Sequence, residues 1–288
     1  MKGSEVRDKV AVVTDSACDL PRGLVERLKI TVVPLIVRFG AEVYDDGALP
    51  ADEFWQKAAA GQHPDTSQPS VGAFEQAFGQ LVERGKHVLY IAITSKHSGT
   101  FNAAHVAAQR FKDAVSVFDS LSISLGEGLQ ALAAAQAARA GASAQEIVAQ
   151  LEKLRSRVHV SVVLDTLENI RRGGRADTLI PIVDRMAKAL SIKAMIDVTE
   201  GHLRLGGAVR SLKSGARRLM DKVEELGPLE QLGVLHTRIP GRAAELADAM
   251  AERLGFPREE IWIREPKAAL STHAGPGALG VVAVPVEG

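Results

Sequence analysis

Cys18 is the only cysteine in the chain, which excludes an intrachain disulfide framework and any zinc site built on several thiolates. Neither sign of charge is in excess. With 35 Lys and Arg against 35 Asp and Glu, the chain has no overall attraction for nucleic acid or an anionic bilayer, so any anion must be held locally. Aromatic residues make up 4%, too few for a surface that stacks single-stranded nucleic acid. No apolar run reaches the roughly 18 residues of a membrane span. The opening MKGSEVRDK lacks the apolar core of a secretion signal, which predicts a cytoplasmic protein with no stable membrane insertion. The eight histidines never fall into H-E-x-x-H spacing, so no metal is expected. Also missing are a G-x-x-x-x-G-K-[ST] phosphate loop and a G-x-S-x-G nucleophile elbow.

What remains is an ordinary globular composition, 46% hydrophobic and 24% charged over 288 residues, enough for one large or two modest domains. Short continuous apolar runs such as VAVVT (Val10 to Thr14) and the stretch Val88 to Ile93 read as strands buried on both faces of a parallel sheet. Pro34 interrupts the run Ile30 to Phe39 and suggests an edge or a bend. Helical patterns alternate with these runs, at Pro50 to Ala60, Val71 to Arg84, the Ala-rich Leu125 to Ala140 and Ala144 to Arg157. The pattern continues with a strand at Val158 to Leu164, a hairpin over Ser191 to Val198 and His202 to Leu205, and further helices and strands to the end. An α/β fold in both halves follows, with a boundary expected just before Val158, dividing the chain into 1–157 and 158–288.

The chemistry gathers in hydroxyl-rich turns at helix entrances. IAITSKHSGTFNAA (Ile91 to Ala104) passes from strand through Ser98, Gly99 and Thr100 into a helix, whose N-terminus favours a carboxylate or phosphate. Thr66 and Ser67 stand in the polar connector Gly61 to Pro69, just before another helix. Asp15 and Ser16 end the first strand, and Asp119 and Ser120 repeat that pattern. In an open α/β sheet such strand ends share one rim. Each of these hydroxyls serves equally as a helix cap. Arg171, Arg172 and Arg175 flank Gly173 and Gly174, which reads either as a solvated helix terminus or as an anion contact. His273 is expected at the mouth of a glycine turn whose Gly275, Gly277 and Gly280 let the backbone pass close to a ligand or another segment. Their G-x-G-x-x-G spacing is accidental, because only a final strand follows. Ser98, His273 and Asp119 also assemble on paper into a hydrolase triad.

Six blocks taken in order resemble the DegV family: VTDSACDLP (13–21), TSQPS (66–70), ITSKHSGTFNAA (93–104), FDS (118–120), LDTLENIRRGGR (164–175) and HAGPGALG (273–280). That resemblance implies a two-domain α/β protein, its N-terminal part an α/β/α sandwich, with a ligand tunnel between the domains for a long-chain fatty acid. It implies a non-catalytic lipid-binding subunit that presents the carboxylate to an ATP-dependent fatty acid kinase subunit for acyl-phosphate formation in phospholipid synthesis, with no cofactor of its own. Carried over residue by residue, the carboxylate contacts are Thr66, Ser98 and His273. Ser67, Gly99, Thr100, Asp15 and Ser16 belong to the same blocks, and Arg175 is expected near the head group or the kinase-docking face. Two positions depart from the family pattern. His97 stands where relatives often carry an apolar residue, and Ala194 where proline is common. The alternatives from the residues alone are a serine-dependent hydrolase or acyltransferase using Ser98 and His273, and a binding module for a different amphipathic carboxylate.

Overall fold

The computed structural model of the chain describes residues 9–166, 168–174 and 192–287. Five early strands, β1 (Val10–Asp15), β2 (Thr31–Val33), β3 (Ile36–Phe39), β4 (Glu42–Asp45) and β5 (Pro64–Ser67), are followed by β6 (His87–Ala92) and β7 (Val115–Asp119). The later strands are β8 (His159–Val163), β9 (Lys193–Thr199), β10 (His202–Val209), β11 (Leu229–His236), β12 (Trp262–Arg264) and β13 (Leu279–Pro285). They form a four-stranded sheet in the order β2-β1-β6-β7, a three-stranded sheet β4-β3-β5 and a six-stranded sheet β10-β9-β8-β13-β11-β12.

The four-stranded sheet is parallel throughout, and its strands are apolar on both faces because helices cover both. Val10, Val12, Leu89 and Ile91 pack with helix Leu125–Arg139. Val13, Val88, Tyr90 and Ala92 face the other way, toward helices Val71–Val82 and Thr100–Ala108. This is the α/β/α layering that the family resemblance implied, and the uninterrupted runs are strands of a parallel sheet buried on both faces, as they read. Pro34 falls between β2 and β3, where the chain leaves one sheet for another.

Helix Leu125–Arg139 sits between the four-stranded and six-stranded sheets, so 11 of its 15 residues are buried. A helix in that position can have no polar face. Its small residues let the layers close: a Cβ at Gly128 would lie 2.3 Å from the Cys18 carbonyl oxygen, and one at Gly126 would lie 2.8 Å from Val160. Two polar groups, Glu127 and Gln130, are fully buried in this Ala-rich helix.

The six-stranded sheet buries Met195, Val234 and Val281 against helices Leu212–Glu224 and Pro240–Leu254. Its other face looks toward the four-stranded sheet. One expectation is corrected. The polar connector Gly61 to Pro69 contains a strand, β5, because Thr66 and Ser67 pair with Val37 and Ile36 of β3. The segment leading to the glycine turn is a helix, Ala268–Ala274, which the sequence reading did not mark, and His273 stands in its last turn at the mouth of the turn at Gly275. Ala194 is a fully buried residue of β9 in ordinary register with β10.

Candidate functional site

Between the sheets runs a cavity in which about 140 Å³ is open to the centre of a water molecule. One water needs only about 10–15 Å³ on that measure, so this is a built space rather than a packing flaw. Its floor is the inner face of the six-stranded sheet, where Ile196, Val162, Gly280 and Leu235 stand in one cross-strand row. From Leu203 on β10 to Leu235 on β11 the lining crosses four strand spacings, roughly 19 Å at about 4.8 Å each. That length suits an extended acyl chain. Leu35, Ile93 and Ile123 line it from the N-terminal half.

Among the described residues, no Lys, Arg, Asp or Glu lines this cavity. Its polar atoms come from Thr66, Ser67, Gln68, Thr94, Ser98, Ser124, Thr237 and three histidines, His97, His236 and His273. The Thr66 hydroxyl and His273 Nε2 are 2.8 Å apart, although 207 positions separate them in sequence. Register with Val37 fixes Thr66, and the helix Ala268–Ala274 fixes His273. Gly173 lies against the imidazole: a Cβ there would come within 2.3 Å of His273 Nδ1. The first glycine of the RRGGR stretch therefore gives the ring its space. Ser98 joins through Gly99, whose missing side chain leaves room for the Gln68 amide, 2.9 Å from where a Cβ would stand. Two distant hydroxyl turns thereby meet at one cavity.

Of the nine residues expected at the site, Thr66, Ser67, Ser98 and His273 line the cavity, while Asp15, Ser16, Gly99 and Thr100 do not. Arg175 lies outside the described residues. The Ser98 hydroxyl also performs the cap-like role that was its alternative reading, contacting the Thr100 hydroxyl at 2.7 Å and accepting the Thr100 N–H at 3.2 Å. Asp119 accepts the N–H groups of Ser95 and Leu121. It is committed to that turn.

Asp15 and Ser16 lie in a buried polar layer that also contains Asp19, Asp46, Glu127 and Lys267. Asp15 accepts from the Tyr90 hydroxyl at 2.8 Å and from the N–H groups of Ile93 and Ala17. Burial nevertheless lifts its carboxyl to about 6, and it lifts Asp19 to about 6 against the pull of Lys267. Burial, with Asp15 nearby, raises Glu127 well above the usual carboxylate range. The Lys267 ammonium is itself buried, which alone would lower its affinity for a proton, but Asp19 and its neighbours reverse the direction and raise it. Cys18 is pushed up by burial and Glu127, which leaves it an inert thiol.

Sequence reasoning placed Thr94 and His97 in the hydroxyl-turn block and noted His97 as a departure, but it did not foresee their contacts or mark His236. His97 Nε2 accepts the N–H of Leu203 at 3.0 Å, and the Thr94 hydroxyl donates to the Gly201 carbonyl at 2.9 Å, so the β9–β10 hairpin is fastened over the hydroxyl turn. His236 is buried with its proton affinity lowered by burial, which keeps it neutral. The two hairpin contacts have no local sequence signal, because Leu203 and Gly201 lie 106 and 107 positions from His97 and Thr94. The glycines of HAGPG do allow a close approach: Gly275 abuts Asn169 and Gly277 abuts Asp165, both at positive φ. Among the described residues no cluster of His, Cys, Asp and Glu is disposed to hold a metal, and no helix is long and apolar enough to cross a membrane.

This arrangement can do one thing well. It can hold a carboxylate on uncharged donors at the side of a greasy channel. The comparisons with known proteins agree in kind. A DegV domain-containing protein of Deinococcus radiodurans is 34% identical over 283 residues, covering 96% of this chain and 99% of the relative. One of Caldanaerobacter subterraneus is 32% identical over 280 residues, covering 95% and 98%. Among solved structures, a DegV family protein from Thermus thermophilus, described by its fatty acid binding, superposes with a TM-score of 0.87 at 30% identity, covering 96% of this chain and all of that one. DegV of Bacillus subtilis, described as a fatty acid binding protein, does so with a TM-score of 0.84 at 27% identity, covering 96% and 99%. The family model described as "uncharacterised protein, DegV family" matches residues 9–286. Matched along its whole described length in both sequence and fold, this chain belongs to the DegV family.

Proposed function

We propose that this protein is a cytoplasmic carrier that binds a long-chain fatty acid, its carboxylate held by Thr66, Ser98 and His273 and its tail laid along the inner face of the six-stranded sheet. The observation that carries this reading is the Thr66–His273 contact at 2.8 Å on a mainly apolar cavity that, among the described residues, is lined by hydroxyl, amide and imidazole groups and by no Lys, Arg, Asp or Glu. Two hydroxyls and an imidazole hold an anion by hydrogen bonds without burying a full countercharge. The Thr66 hydroxyl and, in the tautomer protonated at Nε2, the His273 ring can both donate to a carboxylate placed beside them. An acyl tail of about sixteen carbons, at roughly 0.8 kcal/mol per buried methylene, supplies most of the affinity, and the head-group residues supply orientation.

On this reading the protein is a binding subunit rather than a catalyst, and its two halves, 1–157 and 158–288, are domains that enclose the ligand. It presents the carboxylate to an ATP-dependent kinase subunit that forms the acyl phosphate, with Arg175 at the docking face. The engagement of Asp119 with the turn at Ser95 and Leu121 argues against the triad reading. Solvent extraction and mass spectrometry of the purified protein should yield about one long-chain fatty acid per chain, and Thr66→Val should reduce that load. An extract with no acyl chain, or ester turnover that disappears in Ser98→Ala, would overturn it. The kinase role has its own check. Acyl-phosphate formation by a kinase subunit should require the loaded protein.

A further inference from the structure

Two carboxylates of the buried acidic layer end on the helix that carries His273. Asp46 Oδ1 accepts the N–H of Ala269 at 2.9 Å, and Asp19 Oδ1 accepts the N–H of Lys267 at 2.9 Å. Helix Ala268–Ala274 has no cap from its own N-cap side chain, so its first free N–H groups are satisfied from positions more than 200 residues away. Lys267 Nζ completes the attachment by donating to the Ser16 carbonyl at 2.9 Å. Asp46 is in turn held by the Ser16 hydroxyl at 2.6 Å, and Ser16 Oγ accepts the N–H of Leu35 at 3.0 Å. The second oxygen of Asp19 receives the hydroxyl of Ser124, a residue of the cavity wall, at 2.6 Å.

We infer that Asp46 and Asp19, with Ser16 holding Asp46, are positioning residues for the carboxylate site. They seat the N-terminus of a seven-residue helix whose last turn presents His273, and Asp19 ties that seat to Ser124 of the cavity wall. A helix this short moves as one piece, so a slip at its first turn is carried to the imidazole that must stay 2.8 Å from Thr66. This assigns work to the VTDSACD block, none of whose residues lines the cavity itself.

The inference rests on the proposed carboxylate site, and one comparison separates the two. Affinities of the wild-type protein for palmitic acid and for hexadecanol, which share a tail and differ in head group, measure the carboxylate preference. Wild type should prefer the acid. In Asp46→Asn and in the milder Ser16→Ala, that preference should fall about tenfold, the cost of a misplaced charge-assisted hydrogen bond. Affinity for the alcohol should stay within about twofold, because neither substitution changes a side chain that lines the channel. A merely structural role would change both ligands together or neither. In histidine-selective NMR of the acid complex, the His273 ring resonance should shift in Ser16→Ala, although Ser16 lies outside the cavity. If wild type shows no preference, the carboxylate site itself is wrong. If wild type prefers the acid and folded Ser16→Ala and Asp46→Asn keep that preference, the site stands and the positioning role is wrong.

Discussion

Single residues decide whether the head-group cluster closes. Gly173→Ala would set a Cβ 2.3 Å from His273 Nδ1 and 3.2 Å from the Asn169 carbonyl, so the ring must move. Titration calorimetry should find acid affinity lowered at least about tenfold, the loss of a charge-assisted hydrogen bond, with the melting temperature little changed. Gly99→Ala meets only the end of the Gln68 side chain, which can swing aside, so its loss should be smaller. A second prediction concerns pH. Asp15 and Asp19 are raised from 3.8 to about 6, so between those values the folded chain binds protons that the unfolded chain has released. Their contribution to stability is complete below about pH 4 and is lost as pH rises through about 6. Urea unfolding at pH 4.5 and 7 should show a smaller pH-dependent change in Asp15→Asn than in wild type. An unchanged slope contradicts the assignment. At this scale the sequence made Thr66, Ser67, Ser98 and His273 legible because hydroxyls at helix entrances and a family block both mark them. Glu127 and Asp46 were illegible, since a carboxylate in a helix or turn reads as solvated until the fold buries it.

Elements set the depth of the cavity, and the central helix is the one that separates the sheets. Gly128→Ala would press a Cβ to 2.3 Å from the Cys18 carbonyl, a backbone atom that cannot yield, and should cost about 1–3 kcal/mol or more in denaturant unfolding. Gly23, in helix Arg22–Leu28, has nothing within 4 Å, so Gly23→Ala should instead stabilise by about 0.5–1 kcal/mol. The same signs for both variants would contradict this packing. Strands β1, β6 and β8 were readable because burial on one or both faces writes apolar residues into the chain. β5, with the sequence PDTS, was not. It is a strand only because β3 pairs with it, and pairing partners are invisible to local pattern. The helix Ala268–Ala274 was hidden for a similar reason, since its start is capped by Asp19 and Asp46 from distant turns.

At the scale of the whole molecule, the cavity exists because two sheets share one helix yet leave their inner faces apart where that helix ends. A ligand that fills the gap touches both halves of the chain. Free ligand at about 100 times its Kd should therefore add roughly 2.7 kcal/mol to the unfolding free energy and raise Tm by roughly 5–10 °C. Calorimetry of delipidated and reloaded protein checks this, and a reloaded protein that melts with the empty one would speak against a ligand bridging the halves.

The most direct test is a crystal structure of the protein reloaded with palmitic acid. The carboxylate should lie within hydrogen-bond distance of the Thr66 hydroxyl, the Ser98 hydroxyl and His273 Nε2, with the tail crossing Ile196 and Val162 toward Leu235. A carboxylate found away from those three groups, or an acyl chain lying outside the space between the sheets, would contradict the account.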